Sequence, residues 1–188
     1  MNRIKMPTNV FGFPMPVTVV GAVVDGKPNY LAVAWVMRVN MEPDLIAASL
    51  GKKHHTNVGI REHREFSVCV PGAELVKEVD YVGLVSGKRT DKSEVFRTFY
   101  GGLAHAPLIE ECPLVMACRL VQIVDLPNDE IVVGEIAEAY ADERVLTDGK
   151  PDLRKVNPFV LSMPDNRYWT VGEPLAKAWS CGKALKEA

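Results

Sequence analysis

The spacing of the first three apolar runs constrains this chain more than any other feature. Val17 to Val24 (VTVVGAVV) is rich in β-branched residues and stops at Asp25-Gly26, a pair suited to the positive φ angles of a tight hairpin. After Lys27-Pro28-Asn29 the chain resumes as Leu31 to Val39 (LAVAWVMRV), turns near Glu42-Pro43-Asp44, and runs again from Leu45 to Leu50 (LIAASL). Runs joined this closely pair only antiparallel, because a parallel return needs a crossover of about a dozen residues. Further strands are expected at Phe66–Val70, Leu114–Leu126 and Ile131–Tyr140. The last two form a hairpin around the acidic, water-facing turn Pro127-Asn128-Asp129-Glu130, and Asp148-Gly149 marks another turn.

Short helices are expected from Thr56 to about Glu65 and over Ala73–Val82, where Leu75, Val76, Val79 and Val82 recur at helical spacing. A third is expected after Pro174, with Leu175, Ala178, Trp179 and Leu185 on one face. Gly59 weakens the first of these, so packing must hold it. Together the runs predict a mainly β chain with α additions, folded as a closed or nearly closed barrel. The 188 residues are enough for one good core and too few for two comfortable ones, so residues 1–188 are read as a single domain with its core at about 10–185.

Composition narrows the partners. With 22 basic against 24 acidic side chains and a formal charge of −2, no global field draws in nucleic acid or an anionic membrane. No apolar stretch approaches the ~18 residues that span a bilayer. The opening MNRIKMPTNV lacks the apolar centre of an export signal, so a cytoplasmic protein is expected. Cys69, Cys112, Cys118 and Cys181 form no C-x-x-C pair and are expected to be reduced thiols. Together with His54, His55, His63 and His105 they show no metal-ligand spacing, so no metal site is expected.

No nucleophile elbow, phosphate-binding glycine loop or dinucleotide fingerprint is present either. A small chain with several polar loops and no chemistry of its own is a candidate for holding a cofactor that reacts. The best local site is Ser49 to Thr56 (SLGKKHHT), which passes from a strand end through a basic loop into a helix start. Unpaired N–H groups there attract anions, with Lys53 and either His54 or His55 adding charge; alternatively Thr56 merely caps its helix in a solvated loop. The loop Ser86–Lys92 is either a surface loop or a means of bringing Lys92 to the same anion. Ala32, Ala34, Trp35, Val36 and Met37 either leave room for a flat ring or pack small against large in a barrel. Asn29 is either a turn residue or a ring-contacting amide.

The order of these elements resembles the flavin reductase-like, flavoredoxin-type family. The run PVTVVGAVVDGKPNYLAVAWVMRVNMEPDLIAASLGKKHHTNVGIREHREFSVCVP carries its V-x-x-D-G-x-x-N opening, its small-residue strand around Ala34-Trp35, the serine and threonine before a helix, and an F-x-V-x-V strand. Gly83 to Gly87 with Asp91-Lys92 resembles its G-x-x-S-G-x-x-x-D-K element, and Tyr168, Gly172 and Gly182-Lys183 its closing segment. The resemblance spans roughly residues 10 to 185. It implies an antiparallel, Greek-key-like split β-barrel that binds FMN as a homodimer, with the flavin near the subunit interface. It further implies a phosphate site at Ser49, Leu50, Lys53, His55 and Thr56 with Lys92 contributing, a ring platform at Asn29 and Ala34, Trp35, Val36 and Met37, and a pocket edge at Ser86 and Gly87. Cys69 departs from the pattern, since asparagine is expected there.

The implied function is that of an oxidoreductase passing electrons through FMN, with NADH or NADPH, or a redox partner protein, as donor. No side chain is then expected to act as nucleophile or general base. A flavin-binding module without turnover is the alternative. A nucleic-acid-binding barrel has only the Lys52 to His55 patch in its favour, so neither nucleic acid nor membrane is expected as a partner.

Overall fold

The computed structural model describes residues 1–9, 13–163 and 165–186. Asp25 and Gly26 turn the chain as expected, both with positive φ (51° and 76°). They join β1 (Thr18–Val24) to β2 (Lys27–Val33), with Val24 opposite Lys27. Asp148-Gly149 repeats the device at φ 51° and 71°.

The run Leu31–Val39 is not one strand. β2 starts earlier and ends at Val33, Ala34 and Trp35 form a corner, and β3 (Val36–Met41) leaves that corner to pair with β4 (Asp44–Gly51). Residues on both sides of the corner suit a strand equally well, so composition does not mark the break. The chain continues through helix α1 (Thr56–His63), β5 (Glu65–Val70), helix α2 (Val76–Leu84), β6 (Leu114–Asp125) and β7 (Asp129–Ala141). All pairings in the main sheet are antiparallel, in the order β2-β1-β5-β6-β7-β4-β3.

Two register shifts between β6 and β7, the first leaving Val121 of β6 unpaired beside Gly134 and the second leaving Ala137 of β7 unpaired, coil the sheet. Gly134 is needed at the first, because a β-carbon there would lie 2.5 Å from the buried Phe66 ring. Strand β1 is buried along its whole length, on both faces. Val20 and Ala22 face the inner core with Leu31, Ile46, Phe66 and Val132, while Val19 faces an outer core with Tyr30, Val79, Val82 and Leu108. Helix α2 covers the outer core, and α1 sends Ile60 into the inner one.

The coiled sheet does not close by hydrogen bonding. Strand β4 is bonded to β7 on one side and β3 on the other, so it has no edge left for β2. A seam between β2 and the end of β4 remains, and residues 31–35 and 49–51 line it. The fold is a split β-barrel.

Two expectations fail. Pro174 opens no helix: residues 171–180 contain neither helix nor strand, and only a 3₁₀ stretch at Cys181–Lys186 follows. Leu175 and Trp179 are 101% and 97% exposed, so the intended apolar face packs against none of the described residues, and short helices depend on such packing. Glu130 does not face water. It is 1% exposed, with Oε2 accepting from Arg61 of α1, and so ties the β6–β7 hairpin to the helix.

Helix α1 is held by packing, as Gly59 requires. A β-carbon at Gly59 would lie 2.0 Å from the Val23 carbonyl oxygen of β1, a backbone atom that cannot swing away. Gly59→Ala should therefore destabilise the protein by about 1–3 kcal/mol despite the better helix propensity of alanine. Urea unfolding checks this, and a stabilised variant would contradict the close approach.

Candidate functional site

Three hollows hold most of the residues singled out by sequence, and two of them lie on the seam. One of about 290 Å³ is walled by Leu31 to Trp35 of the β2 edge and corner, and by Ser49, Leu50, Gly51 and His54 from the end of β4 and the loop beyond it. A second of about 310 Å³ shares Ala34, Trp35 and Ser49 with the first and is almost wholly apolar, reaching Met15, Val36, Met37 and Ile131. Hollows sharing a wall form one trough, of the size that holds a drug-like molecule. The third, about 270 Å³, is lined by Asn29, His55, Gly87 and Lys92 together with Lys88 and Arg89. Two larger hollows, of about 640 and 790 Å³, lie along surface loops at Asp152–Pro174 and at Arg97–Glu111 and hold no residue of the expected phosphate site, ring platform or pocket edge.

The adjacent histidines part company. His54 lines the trough, whereas His55 faces the third hollow. Burial lowers the His54 pKa below its ordinary value, and the Lys92 charge lowers it further. His55 occupies the N-cap of α1, and Thr56, expected there, is the first helical residue. The cap offers no side-chain acceptor and the first turn no acidic residue, so the positive end of the helix is uncompensated. Thr56 is buried, and its hydroxyl oxygen accepts from Asn29 Nδ2 at 2.7 Å, leaving the hydroxyl proton to give. Asn57 Nδ2 donates to the Gly51 carbonyl at 3.0 Å and fixes the loop.

Two buried polar atoms here have no protein partner, His55 Nδ1 and Asn57 Oδ1. A buried group left unpaired is costly, so a water or ligand that reached these atoms would offset that cost. Gly87 fits the same corner, because a β-carbon there would lie 2.1 Å from Asn29 Oδ1 and 3.0 Å from the His55 ring. Ser86 shapes the turn behind it, its carbonyl accepting from Arg89 and Thr90 at 2.9 and 3.0 Å. The two loop lysines differ. Lys52 pairs with Asp125 at 2.7 Å, whereas Lys53 is exposed with no carboxylate partner among the described residues.

Lys92 sits otherwise than a surface phosphate ligand would. It is 3% exposed, and its ammonium donates to the carbonyls of Tyr30 and Val82 at 2.8 Å each, pinning β2 to α2. One N–H remains beyond these two, on a side chain that lines the third hollow. Val36 and Met37, grouped by sequence with the ring platform, lie beyond the Trp35 corner on the apolar side of the trough. Sequence reasoning missed Gly51, Asp129, Met163 and the Phe13–Pro16 segment as lining residues. They arrive from distant parts of the chain and carry no local signal.

The family model for the flavin reductase like domain matches residues 10–160. The chain belongs to the flavin reductase-like family. Its structure is similar to the crystal structure of flavoredoxin from Methanosarcina acetivorans, at 48% identity and a TM-score of 0.96 over 98% of this chain and 100% of that one. Flavoredoxin of Desulfovibrio vulgaris (Miyazaki F) is 33% identical, with a TM-score of 0.87 over 96% of this chain and 100% of that one. An FMN-binding protein from Thermus thermophilus shares the fold at 21% identity, with a TM-score of 0.81 over 94% of this chain and 99% of that one.

Burial pulls the Lys92 ammonium down from 10.5 to about 8. Between these values the unfolded chain holds a proton that the folded chain has released, so stability rises with pH across that window. The ligand-free protein should therefore gain stability from pH 8 to 10 relative to Lys92→Met, as thermal unfolding across the series will show. A difference independent of pH would mean that the buried amine is charged throughout.

Proposed function

We propose that this protein binds FMN in the seam and works as an oxidoreductase that passes electrons through it. The observation that carries the reading is a slot beside Ala32, Ala34 and Trp35 that reaches His54, the residue next to the N-cap of a helix whose positive end is uncompensated. FMN has the matching parts, a planar ring and a phosphate. The membership of a flavin reductase-like family and the likeness to flavoredoxins support the same cofactor.

FMN held in the seam would supply the hydride and electron-transfer chemistry. The work of the chain is then to bind and orient. Small side chains at Ala32 and Ala34 admit a ring edge, and Trp35 walls the trough. Thr56 and the first-turn amides of α1 donate to phosphate oxygens, with Lys53 supplying charge. Asn29 holds the Thr56 hydroxyl in place and fixes which way its proton points. His55 Nδ1 supplies a further donor in the tautomer that carries its proton there, and no side chain needs to serve as nucleophile.

The functional unit in this reading is a homodimer. Met37, Met41 and Val121 are 64%, 74% and 50% exposed, and the Leu175–Trp179 arm lies in water. A second copy would cover these groups and shield the open side of the trough. Sedimentation at twice the chain mass of 20.7 kDa is expected, and a monomer at micromolar concentration would contradict it.

Lys53→Ala with Thr56→Ala should fold normally by circular dichroism yet weaken FMN binding about a hundredfold or more, from the loss of two charge-assisted contacts. Retention of flavin equal to the parent after desalting would refute the phosphate site. Anaerobic mixing of the FMN-loaded protein with NADH or NADPH should bleach its band near ~450 nm. Failure with both nucleotides would replace the reductase by a carrier loaded by another protein.

A further inference from the structure

The apolar half of the trough has nothing that suits a phosphate. Its floor lies where β3, β4 and β7 run side by side, with Met37 opposite Ala47 and Ser49 opposite Ile131. Ile46, Ala48 and Leu50 of β4 turn into the inner core, so the alternate residues Ala47 and Ser49 turn the other way, into the hollow. These two small side chains leave depth in the floor between the larger Met37 and Ile131. Residues 13–16 wall one side, and Ala34, Trp35 and Ser49 form the wall shared with the first hollow.

Charge sets this hollow apart. No lining residue is ionisable, whereas the other four hollows all include ionisable side chains, beginning with His54 and Asp129 in the first. A charged ligand would lose its water there without finding a partner, so the occupant must be neutral. The volume of about 310 Å³ suits a small molecule. Besides Trp35, the side chain with a polar hydrogen is Ser49. Its amide donates to the Trp35 carbonyl at 2.9 Å and holds the corner, while its hydroxyl is able to donate to an acceptor in the hollow.

We propose that this hollow binds a neutral, flat aromatic carbonyl compound of the quinone class. Its ring lies over the Ala47 floor, and Ser49 Oγ donates to one carbonyl oxygen. The choice of a quinone over any other small ring rests on the reading of the neighbouring slot as a flavin site. A quinone takes up two electrons and two protons to become a hydroquinone. Both forms are neutral, so both suit a hollow without charge. In balance, one quinone, one NADH or NADPH and one proton give one hydroquinone and one oxidised nucleotide, both electrons crossing by way of the flavin.

All four cysteines are free thiols, so the probe is duroquinone, whose fully methylated ring does not alkylate sulfur. The purified full-length chain is titrated calorimetrically without FMN and again after saturation with it. One duroquinone per chain is expected in both series, since the two ligands occupy different hollows. Ala47→Phe fills the floor and should weaken duroquinone about tenfold or more with FMN affinity unchanged, because Ala47 does not line the slot. Phe13→Asp, at a residue 61% exposed, sets a charge on the rim and should weaken duroquinone similarly even if the first variant does not fold. Ser49→Ala should weaken it about fivefold, the worth of one neutral hydrogen bond.

No duroquinone binding by a chain that binds FMN, displacement of duroquinone by FMN, or unchanged affinity in Phe13→Asp and folded Ala47→Phe would each overturn the proposal and leave the flavin reading standing. Unchanged affinity in Ser49→Ala would overturn the carbonyl contact and the quinone class with it. Duroquinone binding by a chain that does not bind FMN would support the neutral site and overturn the flavin reading on which its redox role rests.

Discussion

Both edges of β4 are occupied, and the rest of the architecture follows from that constraint. With β7 bonded on one side and β3 on the other, β4 cannot accept β2, although the coiling of the sheet brings the two side by side. The free edges of the sheet belong to β2 and β3, and with no pairing between them the barrel stays open along a slot. Here the walls of the gap are small or flat residues (Ala32, Ala34, Trp35), and one end lies beside an uncapped helix. The corner at Ala34-Trp35 is what sends the chain across to the other edge of the sheet. A single local break in extended structure thus produces both the fold type and its cavity.

The position of the helix depends on equally short-range contacts. Gly59 against the Val23 carbonyl brings α1 onto β1, the pair of exposed Arg61 with buried Glu130 ties it to the far hairpin, and Asn29 with Thr56 locks its first turn to β2. These three contacts fix where the helix N-terminus points. The charge on the site is therefore set by backbone placement more than by the number of cations, since Lys92 spends two of its donors on carbonyls and Lys52 is paired.

Much of this was legible in the sequence, and the failures have physical causes. Asp25-Gly26 and Asp148-Gly149 announced their turns because few other residue pairs take two positive φ angles in succession. Gly59 announced a helix held by packing. The break at Ala34-Trp35 was hidden, because Val33 and Val36 favour strand on either side of a corner that only the sheet order demands. Glu130 looked like a turn residue, and its burial depends on Arg61 arriving from α1. The apolar spacing after Pro174 is real, but none of the described residues meets it. Of the residues named through the family resemblance, Ala34, Trp35, Ser49 and Leu50 line the trough beside His54, with Val36 and Met37 on its apolar side, and Asn29, His55, Gly87 and Lys92 line the third hollow. Lining residues such as Met163 and Asp129 have no pattern that a one-dimensional reading detects.

The central claim is that the seam grips a planar ring at one end and an anion at the other. Equilibrium titration of the ligand-free chain with FMN and with riboflavin, followed by quenching of flavin fluorescence, tests it most directly, because the two ligands share the ring and differ only in the phosphate. The account predicts one FMN per chain, with riboflavin bound at the same site about a hundredfold more weakly, as charge-assisted phosphate contacts require. Equal affinity for the two ligands, or no binding of either, would contradict it.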